Sequence, residues 1–193
     1  RSYAKLTLSH GKDLLLMSSG SLTDPLLFRE LSELAKGGSL RLMIPSGAIG
    51  GIDALRAARA YLEEVTLITT KPPAGLRGAP GFKDWEAVEI KEAQVIYEGT
   101  AREAVSLFPA NVNVAATLSL AGLGPDKTKV KVVADPHSPG NVHEVFATGD
   151  FGVMRFIMEN RPHERNPRTS YMAVLSALEM LRSACSQEPR IGT

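Results

Sequence analysis

Between an apolar run, Leu40 to Ile44, and a helix-like run, Asp53 to Leu62, the chain places Ile44-Pro-Ser-Gly-Ala-Ile-Gly-Gly-Ile-Asp53. In α/β proteins a strand, a glycine-rich turn and a helix start bring backbone N–H groups close to a ligand. The glycines fall at Gly47, Gly50 and Gly51, which is not the G-x-G-x-x-G dinucleotide spacing. Glycine also serves tight turns and close packing, so a purely structural turn stands beside the ligand-facing one. Upstream, Asp13-Leu-Leu-Leu-Met17 holds another short apolar run. Leu26 to Lys36 reads as a helix, with Pro25 in its first turn, Thr23 or Asp24 as N-cap and Gly37-Gly38 closing it. Strand, helix and strand at this spacing predict a right-handed βαβ crossover in a parallel sheet. Both strands end in small-residue turns, Ser18-Ser-Gly20 and Ser46-Gly-Ala48. Open α/β sheets bind ligands at such carboxyl ends.

After about residue 50 the pattern becomes strand-rich. Val65 to Thr70 alternates with β-branched residues, and Lys71-Pro-Pro-Ala-Gly75 breaks it. Val95 to Gly99 is a strand, and Thr100-Ala-Arg-Glu103 resembles a capping box. Asn111-Val-Asn113 precedes a small-residue apolar helix, Val114 to Ala121. Lys129 to Val133, Val142 to Phe146 and Phe151 to Met158 read as strands of an antiparallel or mixed sheet, with Gly149-Asp150 as a hairpin turn. Asn160 to Arg168 reads as a polar loop, and Ser170 to Cys185 as an amphipathic helix. The predicted class is α/β: a C-terminal remnant of a Rossmann-like parallel sheet, then an α+β domain with a mixed sheet. The expected boundaries are 1–49 for the Rossmann-like part, 50–168 for the α+β domain and 169–193 for a helix packing back on the first part.

Composition narrows the classes. The net charge of the 193 residues is +1, which gives no basic surplus to attract nucleic acid or an anionic membrane. No apolar run approaches the roughly 20 residues that span a bilayer. Cys185 is the only cysteine, so an intrachain disulfide and a cysteine-rich zinc cluster are excluded. We read Cys185 as a packing residue. No signal-peptide pattern opens the sequence, and a reduced, cytoplasmic protein is expected. Residues 1–11 read as the tail of a helix ending at Gly11, which suggests a segment of a longer protein.

Candidate chemistry centres on His143, which shares a strand face with Val145 while Val142, Glu144 and Phe146 take the other. A histidine there can act as a general acid–base group, with Asp135, Asn141 or Glu144 to orient it; the alternative is a hydrogen-bonded structural histidine. His137 and His143 stand six apart across a loop, which is no standard zinc spacing, and no metal is expected. Asn111 and Asn113 either cap a helix or aim an amide at a ligand carboxamide. Thr169 and Ser170 suit an N-cap, and a helix start beside Arg168 would also receive a carboxylate. Lys71 is either a second carboxylate partner or a solvated surface cation.

Five segments in order resemble L-aspartate dehydrogenase: Ile44 to Asp53, Thr69-Thr-Lys-Pro-Pro73, Phe108-Pro-Ala-Asn-Val-Asn-Val-Ala115, Asn141-Val-His-Glu144, and Glu159-Asn-Arg-Pro162 with Asn166-Pro-Arg-Thr-Ser170. The resemblance runs from Gly11 to about Arg182. It implies an N-terminal Rossmann domain for NAD or NADP and a C-terminal α+β domain for substrate and oligomer contacts. It implies reversible oxidative deamination of L-aspartate to oxaloacetate and ammonia through iminoaspartate, serving aspartate breakdown or NAD biosynthesis. It makes His143 the catalytic histidine and puts Ala48 and Asn113 against the nicotinamide, with Ser18 and Gly20 in the turn lining the nucleotide site. Substrate carboxylates would then fall to Arg168, Thr169, Ser170 and Lys71. The partners implied are this small-molecule substrate and further copies of the chain. The family's first βαβ unit has no counterpart in these residues, so weak or no cofactor binding is expected of the 193 residues alone. A related Rossmann oxidoreductase on another small acid, and a non-catalytic oligomerising fragment, are the competing readings.

Overall fold

The structure, a computed structural model, describes residues 2–109 and 113–186. Helix α1 (Ser2–Ser9) is followed by Gly11, whose φ of 68° suits a residue without a Cβ. Strand β1 (Leu14–Leu15) leads into a 3-10 turn, Ser19–Thr23. Helix α2 (Pro25–Gly37) begins at Asp24, whose carboxylate accepts from the N–H groups of Leu26 and Leu27 at 3.0 and 3.3 Å. Strand β2 (Leu42–Met43) pairs parallel with β1. The ladder is shorter than the apolar runs, because the chain turns after Met17 and Pro45 has no N–H to extend it. Leu27, Leu31 and Ala35 of α2 follow the helical period and bury themselves against Ala4, Leu8 and Leu22.

Helix α3 (Ile52–Ala57) stops short of the expected Leu62, since residues 59–61 tighten into a 3-10 turn and Leu62 already pairs with Gly149. Strand β3 (Leu62–Lys71) then runs into the Pro72-Pro73 breaker. Strand β4 (Gln94–Thr100) passes into α4 (Ala101–Leu107) through the capping box: the Glu103 N–H donates to Thr100 Oγ1, and the Thr100 N–H to Glu103 Oε2. Helix α5 (Asn113–Ala121), strand β5 (Lys129–Ala134), and the hairpin of β6 (Asn141–Gly149) and β7 (Gly152–Asn160) complete the α+β part. The mixed five-stranded sheet has the order β4-β5-β3-β6-β7, with β3 and β5 parallel and the other neighbours antiparallel.

Alternation sorts the sheet. Val65, Leu67, Thr69 and Lys71 of β3, Val130, Val132 and Ala134 of β5, and His143, Val145 and Ala147 of β6 all point to the buried face. Helix α5 covers that face, buried from Val114 to Ser119, and its small side chains let it sit between the sheet and the turn after β1. The opposite face carries Glu144, Phe146, Arg155 and Ile157, with Phe146 and Ile157 exposed.

Residues 160–168 are more ordered than a polar loop: β8 (Pro162–His163) and β9 (Asn166–Ser170) pair antiparallel. Helix α6 (Tyr171–Cys185) returns over the first part, where Arg41 Nη1 donates to the Ala184 carbonyl at 2.9 Å and the Gly47 N–H to Ser176 Oγ at 3.1 Å. Cys185 is exposed and is not a packing residue, because its helix buries no side chain. Among the described residues no helix is long and apolar enough to cross a membrane.

Candidate active site

A cavity of about 250 Å³ opens where the turns after β1 and β2 meet the end of β3, the start of β6 and the starts of α5 and α6. Ser18, Ala48, Lys71, Asn113, His143, Thr169 and Ser170 all line it, beside Ser46, Thr117 and Asn141. Residues more than a hundred positions apart therefore share one enclosure. The crossover ends both parallel strands on the same side, as such a sheet requires.

His143 is buried at 2% exposure. Its Nδ1 lies 3.2 Å from Thr69 Oγ1, on the residue directly opposite in the β3–β6 ladder. The expected orienting groups do not serve. Glu144 points to the other sheet face and takes Arg155 Nη2 at 3.2 Å, as alternation demands of the next residue on a strand. Asp135 turns its carboxylate to the His137 N–H at 2.8 Å. Asn141 lines the cavity, but the ring's hydrogen bond goes to Thr69 instead. Burial, reinforced by the Lys71 charge, pushes the imidazole down to about 3, so it is neutral at physiological pH. Lys71 is no solvated surface cation: it is 6% exposed, and desolvation lowers its ammonium to about 8.

Asn113 is held from behind. The Gly20 N–H donates to its Oδ1 at 3.2 Å, and Ser19 Oγ donates to its carbonyl at 2.9 Å while accepting from Thr117 Oγ1 at 2.8 Å. With Oδ1 occupied, the Nδ2 hydrogens are the part of the amide left for a ligand acceptor. Gly20 thus supports Asn113 and is not among the lining residues. Asn111 and the Arg168 side chain lie outside the described residues.

Ser170 occupies the N-cap position of α6 but makes no side-chain cap. Its hydroxyl donates instead to Asn160 Oδ1 at 3.0 Å, and Asn160 Nδ2 donates to the Ala48 carbonyl at 2.9 Å. Asn160 is buried and ties the turn after β2 to the start of α6. Thr169 Oγ1 accepts from Asn166 Nδ2 at 3.0 Å. Sequence reasoning missed both Thr69 and Asn160. Thr69 was legible as a polar residue on the buried face of β3, whereas nothing local marks Asn160.

Such a site, with one neutral imidazole, one buried ammonium and the start of a helix along one cavity, defines an α/β enzyme for a small anionic molecule. The comparisons narrow that class. The family model "Aspartate dehydrogenase, C-terminal" matches residues 53–184. The L-aspartate dehydrogenase of Nitrosopumilus maritimus is 45% identical over 195 residues, covering 100% of this chain and 72% of that relative. That of Methanosarcina barkeri is 47% identical over 189 residues, covering 96% of this chain and 69% of the relative. The crystal structure of aspartate dehydrogenase from Thermotoga maritima superposes with a TM-score of 0.82 at 30% identity, covering 98% of this chain and 73% of that one. The chain belongs to the aspartate dehydrogenase family.

Proposed function

We propose that the protein catalyses the reversible, NAD- or NADP-dependent oxidative deamination of L-aspartate to oxaloacetate and ammonia through iminoaspartate. The observation that carries this reading is the meeting of His143 and Lys71 with Ser18, Ala48 and Asn113 in one cavity. That cavity suits a four-carbon diacid beside the nicotinamide end of a dinucleotide. Ala48 and the Asn113 amide would hold the nicotinamide, with Ser18 toward the rest of the cofactor. When bound, the cofactor supplies the acceptor for hydride from the α-carbon. Lys71, Thr169 and the N–H groups at the start of α6 hold the two substrate carboxylates, with Arg168 assigned the same role. Ser170 lines the cavity while its proton goes to Asn160.

His143 moves the protons. As a neutral imidazole it takes one from the water that adds to the imine and returns it to the departing amine. A dianionic substrate favours the protonated forms of both His143 and Lys71. Binding therefore raises the proton affinity of the imidazole at the stage when it acts. We further propose a cytoplasmic homo-oligomer, most simply a homodimer, formed over the open face of the five-stranded sheet, where Phe146 and Ile157 are exposed.

The decisive experiment follows NADH and NADPH oxidation by the complete polypeptide with oxaloacetate, with and without ammonium. Oxidation that requires ammonium is expected. Oxidation indifferent to it would make the protein a keto-acid reductase.

A further inference from the structure

Thr69 and His143 are Cα partners across β3 and β6, both on the buried face, at 1% and 2% exposure. The Oγ1–Nδ1 separation is 3.2 Å. Contact through Nδ1 leaves Nε2, on the other side of the ring, as the nitrogen available to a molecule in the cavity that His143 lines. On the neighbouring strand β7 the residue opposite His143 is Met158, which cannot fix a tautomer. Lys71 is the charged group among the described residues lining the cavity, and the nearby carboxylates of Asp135 and Glu144 are engaged elsewhere. A β-branched side chain in a strand has a restricted χ1, so the hydroxyl is held in one place. A buried hydroxyl is costly unless hydrogen-bonded, and valine would fill the same space without that cost.

We propose that Thr69 is a positioning residue for His143: its hydroxyl oxygen accepts the Nδ1–H and so presents an unprotonated Nε2 to the substrate. The proposal rests on the reading of His143 as the acid–base group. Choosing a hydroxyl over a carboxylate has a chemical consequence. A carboxylate partner would hold the imidazole charged, and a charged imidazole cannot start as a base. A threonine sets the tautomer and adds no charge.

The test is nitrogen NMR of the ¹⁵N-histidine-labelled protein near pH 7, with His143→Asn identifying the signal. The expected spectrum shows a protonated Nδ1 and an unprotonated Nε2. In Thr69→Val the ring is expected to move toward the Nε2–H form. Its kcat should fall about ten-fold, the weight of one net hydrogen bond, with little change in KM for oxaloacetate. Thr69→Ser should restore both. A wild-type ring protonated on Nε2, or a Thr69→Val ring unchanged in tautomer, would overturn the proposal. Should Thr69→Val not fold, the wild-type and Thr69→Ser spectra still decide it. Full aspartate turnover by His143→Asn would instead sink the acid–base reading, and the tautomer measurement, made without turnover, keeps the two failures apart.

Discussion

At the scale of single residues, two buried bases each make stability rise with pH, in two different windows. Lys71 titrates at about 8, below the ordinary lysine value of 10.5. The unfolded chain therefore carries the extra proton between those values, and stability rises with pH across that window. Lys71→Met should be more stable than wild type near pH 7, by up to about 3 kcal/mol, yet bind oxaloacetate more weakly. Urea unfolding and KM measured on the same variant check both halves. Because kcat/KM reports the free enzyme, its alkaline limb should fall near pH 8 and flatten in that variant. His143 is lowered from 6.5 to about 3, so the unfolded chain binds the proton first as pH falls below 6.5. Stability is lost through that range, and His143→Gln should shallow the loss, read from acid unfolding curves. In the complete polypeptide, His143→Ala should abolish aspartate turnover while NADH binding, followed by fluorescence, persists.

Elements are joined at the site by a few polar bridges. Asn160, at the end of β7, spans from the Ala48 carbonyl to the Ser170 hydroxyl. Asn160→Ala leaves both groups buried without it and should cost about 2 kcal/mol or more in urea unfolding. A loss below about 0.5 kcal/mol would mean that water replaces the bridge. The glycine turn is sharper still. Gly47 and Gly51 have φ of 70° and 74°. A Cβ at Gly47 meets nothing within 4 Å, whereas one at Gly51 would strike the Phe156 ring of β7. Gly47→Ala should cost about 1 kcal/mol for backbone strain alone. Gly51→Ala should cost clearly more, since the ring must also move; equal thermal shifts would contradict this. Local signals such as caps and breakers were readable here: Asp24 and the Thr100–Glu103 box start helices where their side chains predict.

At the scale of the whole molecule, among the described residues one sheet face is covered by helices and the other is not. Val153 and Ile157 of β7 and Phe146 of β6 lie on the open face. If that face joins two copies, Ile157→Glu should lower the sedimentation coefficient toward that of the monomer and leave the circular dichroism spectrum unchanged. An unaltered oligomer would move the interface elsewhere.

Local sequence determined the elements. Helical period gave α2, strand alternation put His143 with Val145 on one face, and the βαβ spacing set which strand ends share an edge. These depend on neighbours within a few residues, and such neighbours are written in order. The partner of His143 was different. Asp135, Asn141 and Glu144 are closest in sequence, but strand register brings Thr69 opposite, 74 positions away. The same holds for Lys71, whose burial follows from the elements that close over it and not from the prolines beside it. Asn160 acquires its role only when the turn after β2 and the start of α6 arrive on either side of it. Electrostatics and hydrogen bonding at this site depend on which groups exclude water together, and only the tertiary structure decides that.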